Sequence, residues 1–111
     1  MDVAELAREI IATYRKHGWT LQRVLLRPEA RDKVIGSEEQ IFEGVRVDEA
    51  AIDALWFSRP SYEEREAWEL RLLSETQYAL FETFEKDELE EAREEVRREM
   101  EARLLEYVSK K

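Results

Sequence analysis

The chain has 111 residues, of which 43% are apolar and 41% are charged, and it has a net charge of −9 and no cysteine. This size and composition indicate one folded domain with an ionised surface. The chain offers no disulfide, no thiolate metal site and no motif for another metal or a cofactor, so we expect neither. Residues 1–36 carry seven basic and five acidic groups, whereas residues 37–111 carry eleven basic and twenty-two acidic groups. This field repels phosphate backbones and anionic lipids, so we expect no nucleic acid and no membrane among the partners.

The N-terminus and the spread of apolar residues bear on location. Asp2, Glu5 and Glu9 stand where a secretory signal would have basic residues followed by an apolar core. No apolar run approaches the roughly 18 residues that a membrane span needs. We therefore expect a cytoplasmic protein.

A helix is predicted over residues 3–17, because apolar side chains recur there at intervals of three and four residues. Asp2 suits the N-cap position, and Gly18 can adopt the left-handed conformation that ends a helix. His17, the single histidine, could serve as a general base, but a positive group in the last turn is stabilised by the helix dipole. We therefore assign His17 to capping.

Residues 20–27 are predicted to form a strand, which ends at Pro28 because proline cannot donate to a ladder. The connection over residues 28–50 has a looser pattern. A helical turn can begin at Pro28, and residues 37–40 resemble a capping box for a short helix that Gly44 would end. Apolar residues of this connection are candidates to cover part of the sheet, namely Val34, Ile35, Ile41 and Phe42.

Three apolar runs over residues 52–58, 67–73 and 78–84, separated by polar turns, predict an antiparallel meander. Each run contains adjacent apolar residues, such as Trp56 and Phe57, and neighbouring side chains point to opposite faces of a sheet. Both faces must therefore be partly apolar. Because each buried apolar side chain stabilises a fold by roughly 1.5–3 kcal/mol, we expect both faces to be covered.

Loop lengths predict the register of the meander. A first loop over residues 60–65 sets Phe57 opposite Trp68, and a second turn sets Leu73 opposite Tyr78. One face, called face A, then carries Leu55, Phe57, Trp68, Leu70, Ala79, Phe81 and Thr83. The other face, called face B, mixes apolar and charged side chains and carries Trp56, Glu69, Arg71, Leu73, Tyr78, Leu80, Glu82 and Phe84.

A long helix is predicted over residues 88–108, because Asp87 followed by Glu90 is a helix-start signature. Its apolar stripe comprises Leu89, Ala92, Val96, Met100, Leu104, Tyr107 and Val108. Together these elements predict a single α+β domain over residues 1–111. Its mainly antiparallel, four-stranded sheet is flanked by the N-terminal and C-terminal helices, with at least one helix on face A.

The predicted register brings two carboxylates together on face B. Glu69 lies directly opposite Glu82, with Arg71 two residues along and Trp56 beside them. Such a pair would share the arginine, raise the pKa of one carboxyl, or hold a cationic ligand against the indole. We therefore predict a ligand site formed by Trp56, Glu69, Arg71, Tyr78 and Glu82, with Glu69 and Glu82 as the candidates for catalysis. The alternative is a solvated face neutralised by Arg71, or a register that differs by one residue.

Four functions remain open. The leading hypothesis is a non-enzymatic interaction module that forms a homodimer through face B or through the apolar stripe of the last helix. The alternatives are a small-molecule binder on face B and a hydrolase or isomerase that uses Glu69 and Glu82. The size, acidity and helix-flanked sheet are broadly similar to small secretion chaperones, without a shared motif, and this resemblance implies an adaptor for a basic partner. A monomer would follow if residues 34–42 sealed face B.

Overall fold

The protein has an α+β fold, and the structure, a computed structural model, describes residues 2–35 and 41–110. The elements in chain order are α1 (Val3–Lys16), β1 (Thr20–Leu26), α2 (Pro28–Ile35), β2 (Arg46–Glu49), β3 (Ala54–Pro60), β4 (Glu66–Leu72), β5 (Ala79–Phe84) and α3 (Glu90–Ser109). Within these ranges the strand order across the sheet is β2-β1-β3-β4-β5. Strands β1 and β2 are parallel, and the other neighbours are antiparallel. No helix in the described ranges is long and apolar enough to cross a bilayer.

The sheet has five strands where four were predicted, because β2 forms within the loosely patterned connection. Val24 of β1 pairs with Val47 of β2 in a parallel arrangement. A parallel neighbour requires a crossover, and α2, which begins at Pro28 as predicted, supplies it. The short helix predicted from residue 37 begins outside the described residues, and residues 41–44 form a turn.

The predicted signals at both ends of α1 are confirmed. The Asp2 side chain accepts the Glu5 N–H at 2.9 Å, and Gly18 has a φ of 87°. His17 is the C-cap residue, and its Nδ1 lies 2.9 Å from the Thr13 carbonyl oxygen. These caps satisfy backbone groups that a helix leaves unpaired at its ends.

The register of the meander differs from the predicted one by one residue. Ser58 lies opposite Trp68, and Phe57 lies opposite Glu69. Trp56 and Trp68 therefore share a face, with ring centroids 5.8 Å apart in an edge-on arrangement. The assignment of side chains to faces A and B was wrong, because a one-residue shift moves one strand's side chains to the other side of the sheet.

The turn between β3 and β4 explains the shift. Ser61 donates its N–H to the Arg65 carbonyl oxygen at 2.9 Å, so both strands run closer to the turn than predicted. Between them Glu63 and Glu64 have φ angles of 53° and 65°. Non-glycine residues seldom adopt this left-handed conformation, so the residue types in the turn did not predict its backbone geometry.

Both faces of the sheet are apolar and both are covered, as predicted. The α1 face packs Leu55 and Phe57 against α1 and α2. The α3 face packs Trp56 and Trp68 against α3. The apolar residues Val34, Ile41 and Phe42 of the connection join the α1 face. Each face therefore has its own hydrophobic core.

The start of α3 differs from its prediction. The helix begins at Glu90 with Leu89 as the N-cap residue, and no side chain caps it. Instead of the Asp87–Glu90 pair, Glu88 accepts the Glu85 N–H at 2.9 Å one turn earlier. The apolar stripe predicted a buried side for this helix, and Met100 is fully buried accordingly, but Leu89 of the same stripe is 74% exposed, so its expected burial was wrong.

Candidate functional site

The predicted ligand site is not assembled as a set, because the sheet separates its members. Glu69 lies opposite Phe81, and Glu82 lies opposite Trp68. Consequently Glu69 and Arg71 point to the α1 face, whereas Trp56, Tyr78 and Glu82 point to the α3 face. The two carboxylates stand on opposite sides of the sheet, and the pair proposed for acid–base chemistry is not formed.

The three candidates on the α3 face each have a partner close by. Trp56 donates its Nε1–H to Glu101 at 2.8 Å, and Tyr78 stacks on Tyr107 with ring centroids 3.7 Å apart. Glu82 accepts the backbone N–H of Thr83 at 3.0 Å. The contacts of Trp56 and Tyr78 hold α3 against the sheet. These two residues of the predicted face B are therefore used in packing within the chain.

The two candidates on the α1 face belong to a polar cluster with Tyr14. The Tyr14 hydroxyl donates to the Glu69 carboxylate, and its ring stacks on Phe57 with centroids 4.1 Å apart. Burial raises the pKa of Tyr14 well above its usual value, and the hydrogen bond to Glu69 adds to this. Arg71 is 8% exposed and donates to the carbonyl oxygens of Leu72 and Ser74. The protonated tyrosine and the arginine are thus held in fixed positions.

A second charged cluster, which sequence reasoning missed, lies under α3. Arg97 is 2% exposed, and its Nη1 donates to Glu90 at 2.8 Å and to Glu94 at 2.9 Å. Its Cζ lies 3.9 Å from the ring centroid of Trp68, within the range of a cation–π interaction. Arg23 of β1 approaches the same Glu94 at 2.8 Å. The cluster thus connects α3 to β1 and β4 through the buried guanidinium of Arg97 and the carboxylate of Glu94.

The outer edge of β5 is an open surface. Within the described residues no strand pairs with this edge. Leu72 donates its N–H to the Tyr78 carbonyl oxygen at 2.9 Å, so the alternation along the ladder turns the backbone groups of Ala79, Phe81 and Thr83 outward. Phe81 is 56% exposed, and its ring touches Trp19 with centroids 6.5 Å apart. An apolar side chain thus stands beside backbone donors and acceptors that face away from β4.

The two edges of the sheet differ in their protection. β2 is short and charged, and its Arg46 and Asp48 form an ion pair at 2.7 Å. Charge and short length are devices by which proteins prevent edge pairing. β5 has no proline and no lysine, and it pairs with β4 without a bulge. The edge of β5 is protected instead by Glu82, whose carboxylate accepts a hydrogen bond from the outward N–H of Thr83.

No family model, no curated protein and no solved structure matches the chain. The function is therefore inferred from the geometry described above. Phe81 had been placed on face A, which a helix was expected to cover. The main contacts of α1 are with α2 and β1, and β1 lies away from β5 in the sheet. Phe81 on β5 therefore remains exposed.

Proposed function

We propose that this protein is a non-enzymatic interaction module that self-associates by pairing β5 with the β5 of a second copy. The supporting observation is the open edge of β5, where outward backbone groups lie beside the exposed Phe81. In edge-strand addition, main-chain hydrogen bonds supply affinity and neighbouring side chains supply specificity. Of the surfaces that the sequence favoured for a dimer, the part of face B around Trp56 and the buried part of the helix stripe, Met100 and Leu104, pack against each other within the chain.

A two-fold axis at Phe81 is the register that suits this strand. It sets Phe81 opposite Phe81 of the second copy and Ala79 opposite Thr83, all of which direct their backbone groups outward. Glu82 then lies opposite Leu80 of the second copy. An axis at Glu82 would instead place two carboxylates directly opposite each other, which is destabilising. The pairing is isologous, so it closes as a dimer and does not extend into a fibre.

Glu82 limits the strength of this association. In the single chain its carboxylate accepts the Thr83 N–H, which a second copy would need. Pairing therefore replaces a hydrogen bond that already exists, and the net gain is smaller than for an unprotected edge. We expect association at micromolar rather than nanomolar concentration.

Sedimentation equilibrium tests the dimer. The mass should rise above 13.3 kDa as the concentration increases through the micromolar range. The Phe81→Lys variant should remain monomeric, because lysine on an edge opposes pairing. Leu89→Lys is the matched control, since Leu89 is also an exposed apolar residue but lies outside the edge. A wild-type mass that stays at 13.3 kDa at every concentration would overturn the proposal.

A cross-linking experiment tests the register. The chain has no cysteine, so a single engineered thiol reports on its own position. Directly opposed residues in a hydrogen-bonded antiparallel pair have Cα atoms about 5.5 Å apart, within the range of a disulfide. Phe81→Cys should therefore form a covalent dimer on mild oxidation, and Leu89→Cys should not. Equal cross-linking of both variants would contradict pairing at Phe81.

The acidic surface also favours one kind of foreign partner. Glu90, Glu91 and Glu95 are exposed at the start of α3, and the chain has a net charge of −9. Such a surface attracts basic segments by long-range electrostatics. In this alternative the protein is an adaptor, and its partner is a basic strand that pairs with β5. Phe81→Lys would weaken this binding as well. A Leu89→Lys variant that loses such a partner equally would place the contact outside the edge.

A further inference from the structure

An open groove of about 300 Å³ lies between α1 and the turn that joins β4 to β5. One wall is a stripe of α1, and the opposite wall is the turn. The side chains that line it include Leu6, Glu9, Ile10, Thr13, Arg71, Glu75 and Gln77. Ligand pockets in proteins begin at about this size, since they range over roughly 300–1,000 Å³.

Arg71 supplies the positive charge of the groove. The residue is largely buried and lines the groove, and its Nη1 donates to the carbonyl oxygens of Leu72 and Ser74. Tyr14, whose hydroxyl donates to Glu69, lines the same groove as Arg71. A guanidinium carries its N–H donors in a rigid fork that matches the two oxygens of a carboxylate. These contacts use the donors of Nη1 and fix the guanidinium, so a ligand carboxylate would be bound by the edge formed by Nε and Nη2, with less entropy lost on binding.

The α1 wall supplies a negative charge and an apolar surface. Glu9 is exposed and lines the groove, whereas Leu6 and Ile10 on the same stripe are more buried. An ammonium group complements the carboxylate of Glu9 through a charge-assisted hydrogen bond. An aliphatic side chain complements Leu6 and Ile10, because the contact removes apolar surface from water. The groove thus presents one arginine, the carboxylate of Glu9 on α1, the carboxylate of Glu75 on the opposite wall, and an aliphatic surface.

We propose that this groove binds a small zwitterion of the amino-acid class that carries an aliphatic side chain. Its carboxylate pairs with Arg71, its ammonium group pairs with Glu9, and its side chain lies against Leu6 and Ile10. A free amino acid and a dipeptide share this chemistry and differ in the distance between the two charges. The site lies on α1 and the β4–β5 turn, so it does not depend on pairing through β5.

Calorimetric titration with L-leucine and with leucyl-leucine tests the ligand class and separates its two sources. Leucinamide lacks the carboxylate and N-acetylleucine lacks the ammonium group, so each probe removes one of the two charges. We expect leucine or the dipeptide to bind, and each modified leucine to bind about tenfold or more weakly than leucine itself. The proposal is overturned if neither zwitterion binds at millimolar concentration, or if all the leucine probes bind alike.

Two variants of α1 locate the site. Glu9→Gln should weaken binding of the zwitterion by about tenfold, since it removes a charged hydrogen-bond acceptor. Glu5→Gln makes the same change of charge on α1 at a residue that does not line the groove, so it should bind like the wild type. Both residues are exposed, and both variants should fold. Unchanged affinity in Glu9→Gln would refute the proposal.

The binding readout also separates this proposal from the one on β5. Phe81→Lys should bind the zwitterion as the wild type does, even if it no longer self-associates. Arg71→Lys keeps the positive charge but loses the fork, so binding should weaken while the fold is retained. The assignment of the ligand carboxylate to Arg71 would be contradicted if Phe81→Lys lost binding while Arg71→Lys bound the zwitterion as tightly as the wild type.

Discussion

Glu94 is a single carboxylate that links two elements of the fold. It accepts hydrogen bonds from Arg23 of β1 at 3.0 Å and from Arg97 of its own helix at 2.9 Å. The hydrogen bond from Arg23 is the largest influence on the pKa of Glu94, which falls to about 2 although partial burial acts in the opposite direction. The carboxylate is therefore ionised at all ordinary pH values, and its single negative charge lies between two arginines.

This shift predicts a pH dependence of stability. The pKa of Glu94 is lower in the folded chain than in the unfolded one, so its contribution is complete above about pH 5 and is lost as the pH falls towards about 2. The full depression from 4.5 to about 2 would stabilise the fold by roughly 3 kcal/mol, and solvent screening of this part-exposed carboxylate makes its actual contribution smaller. Urea titrations across this range should show that Glu94→Gln, already destabilised at neutral pH, loses less stability on acidification than the wild type.

Glu99→Gln provides the control for this measurement, because Glu99 is exposed on the same helix. Its free energy of unfolding should run parallel to that of the wild type as the pH falls. If the Glu94→Gln curve also ran parallel, Glu94 would not be held ionised by the arginines.

At the scale of elements, α3 is attached to the sheet by both apolar and charged contacts. Met100 and Leu104 are fully buried against the sheet, and Arg97 lies between Trp68 and the glutamates of its own helix. The apolar contacts supply most of the stabilisation, since a buried ion pair must first overcome the desolvation of its charges. The charges set the position of the helix along the sheet.

Removal of the Met100 side chain should therefore destabilise the protein strongly. Met100→Ala deletes a fully buried side chain and leaves a cavity, for which we expect a loss of about 2–5 kcal/mol in the free energy of unfolding. The exposed neighbour Glu99 serves as the control, and Glu99→Ala should change stability by less than about 0.5 kcal/mol. A denaturant titration measures both variants, and similar small losses would show that α3 is not docked through Met100.

At the scale of the whole molecule, charge opposes self-association. Each chain has a net charge of −9, and two copies brought together at β5 repel each other through solvent. Salt screens this repulsion, because the Debye length falls from about 30 Å at 0.01 M to about 3 Å at 1 M. The open edge and the net charge therefore act in opposite directions.

The proposed dimer should consequently become tighter as salt is added. Sedimentation equilibrium over this range of ionic strength should give a dissociation constant that decreases with salt for the wild type. Phe81→Lys should stay monomeric throughout, because salt does not restore the edge contact. A dissociation constant that increases with salt would indicate an interface held together by opposite charges.

The sequence by itself determined the class of the fold and most of its elements. Apolar periodicity located both long helices and the strands of the meander, and Asp2 and Gly18 marked the ends of α1 correctly. Adjacent apolar residues such as Trp56 and Phe57 established that both faces of the sheet are covered. These properties follow from local chain geometry, which each segment carries without its neighbours.

Only the tertiary structure decided the register, the second charged cluster and the open edge. Because both faces are apolar, a shift of one residue costs little burial, and the left-handed turn at Glu63 and Glu64 selected the actual register. Arg97 is buried because Trp68 and two glutamates meet it there, a combination that spans distant parts of the chain. Phe81 is exposed because α1 packs on other strands. Pairing and exposure depend on which segments become neighbours, and that choice is made by the packing of the whole chain.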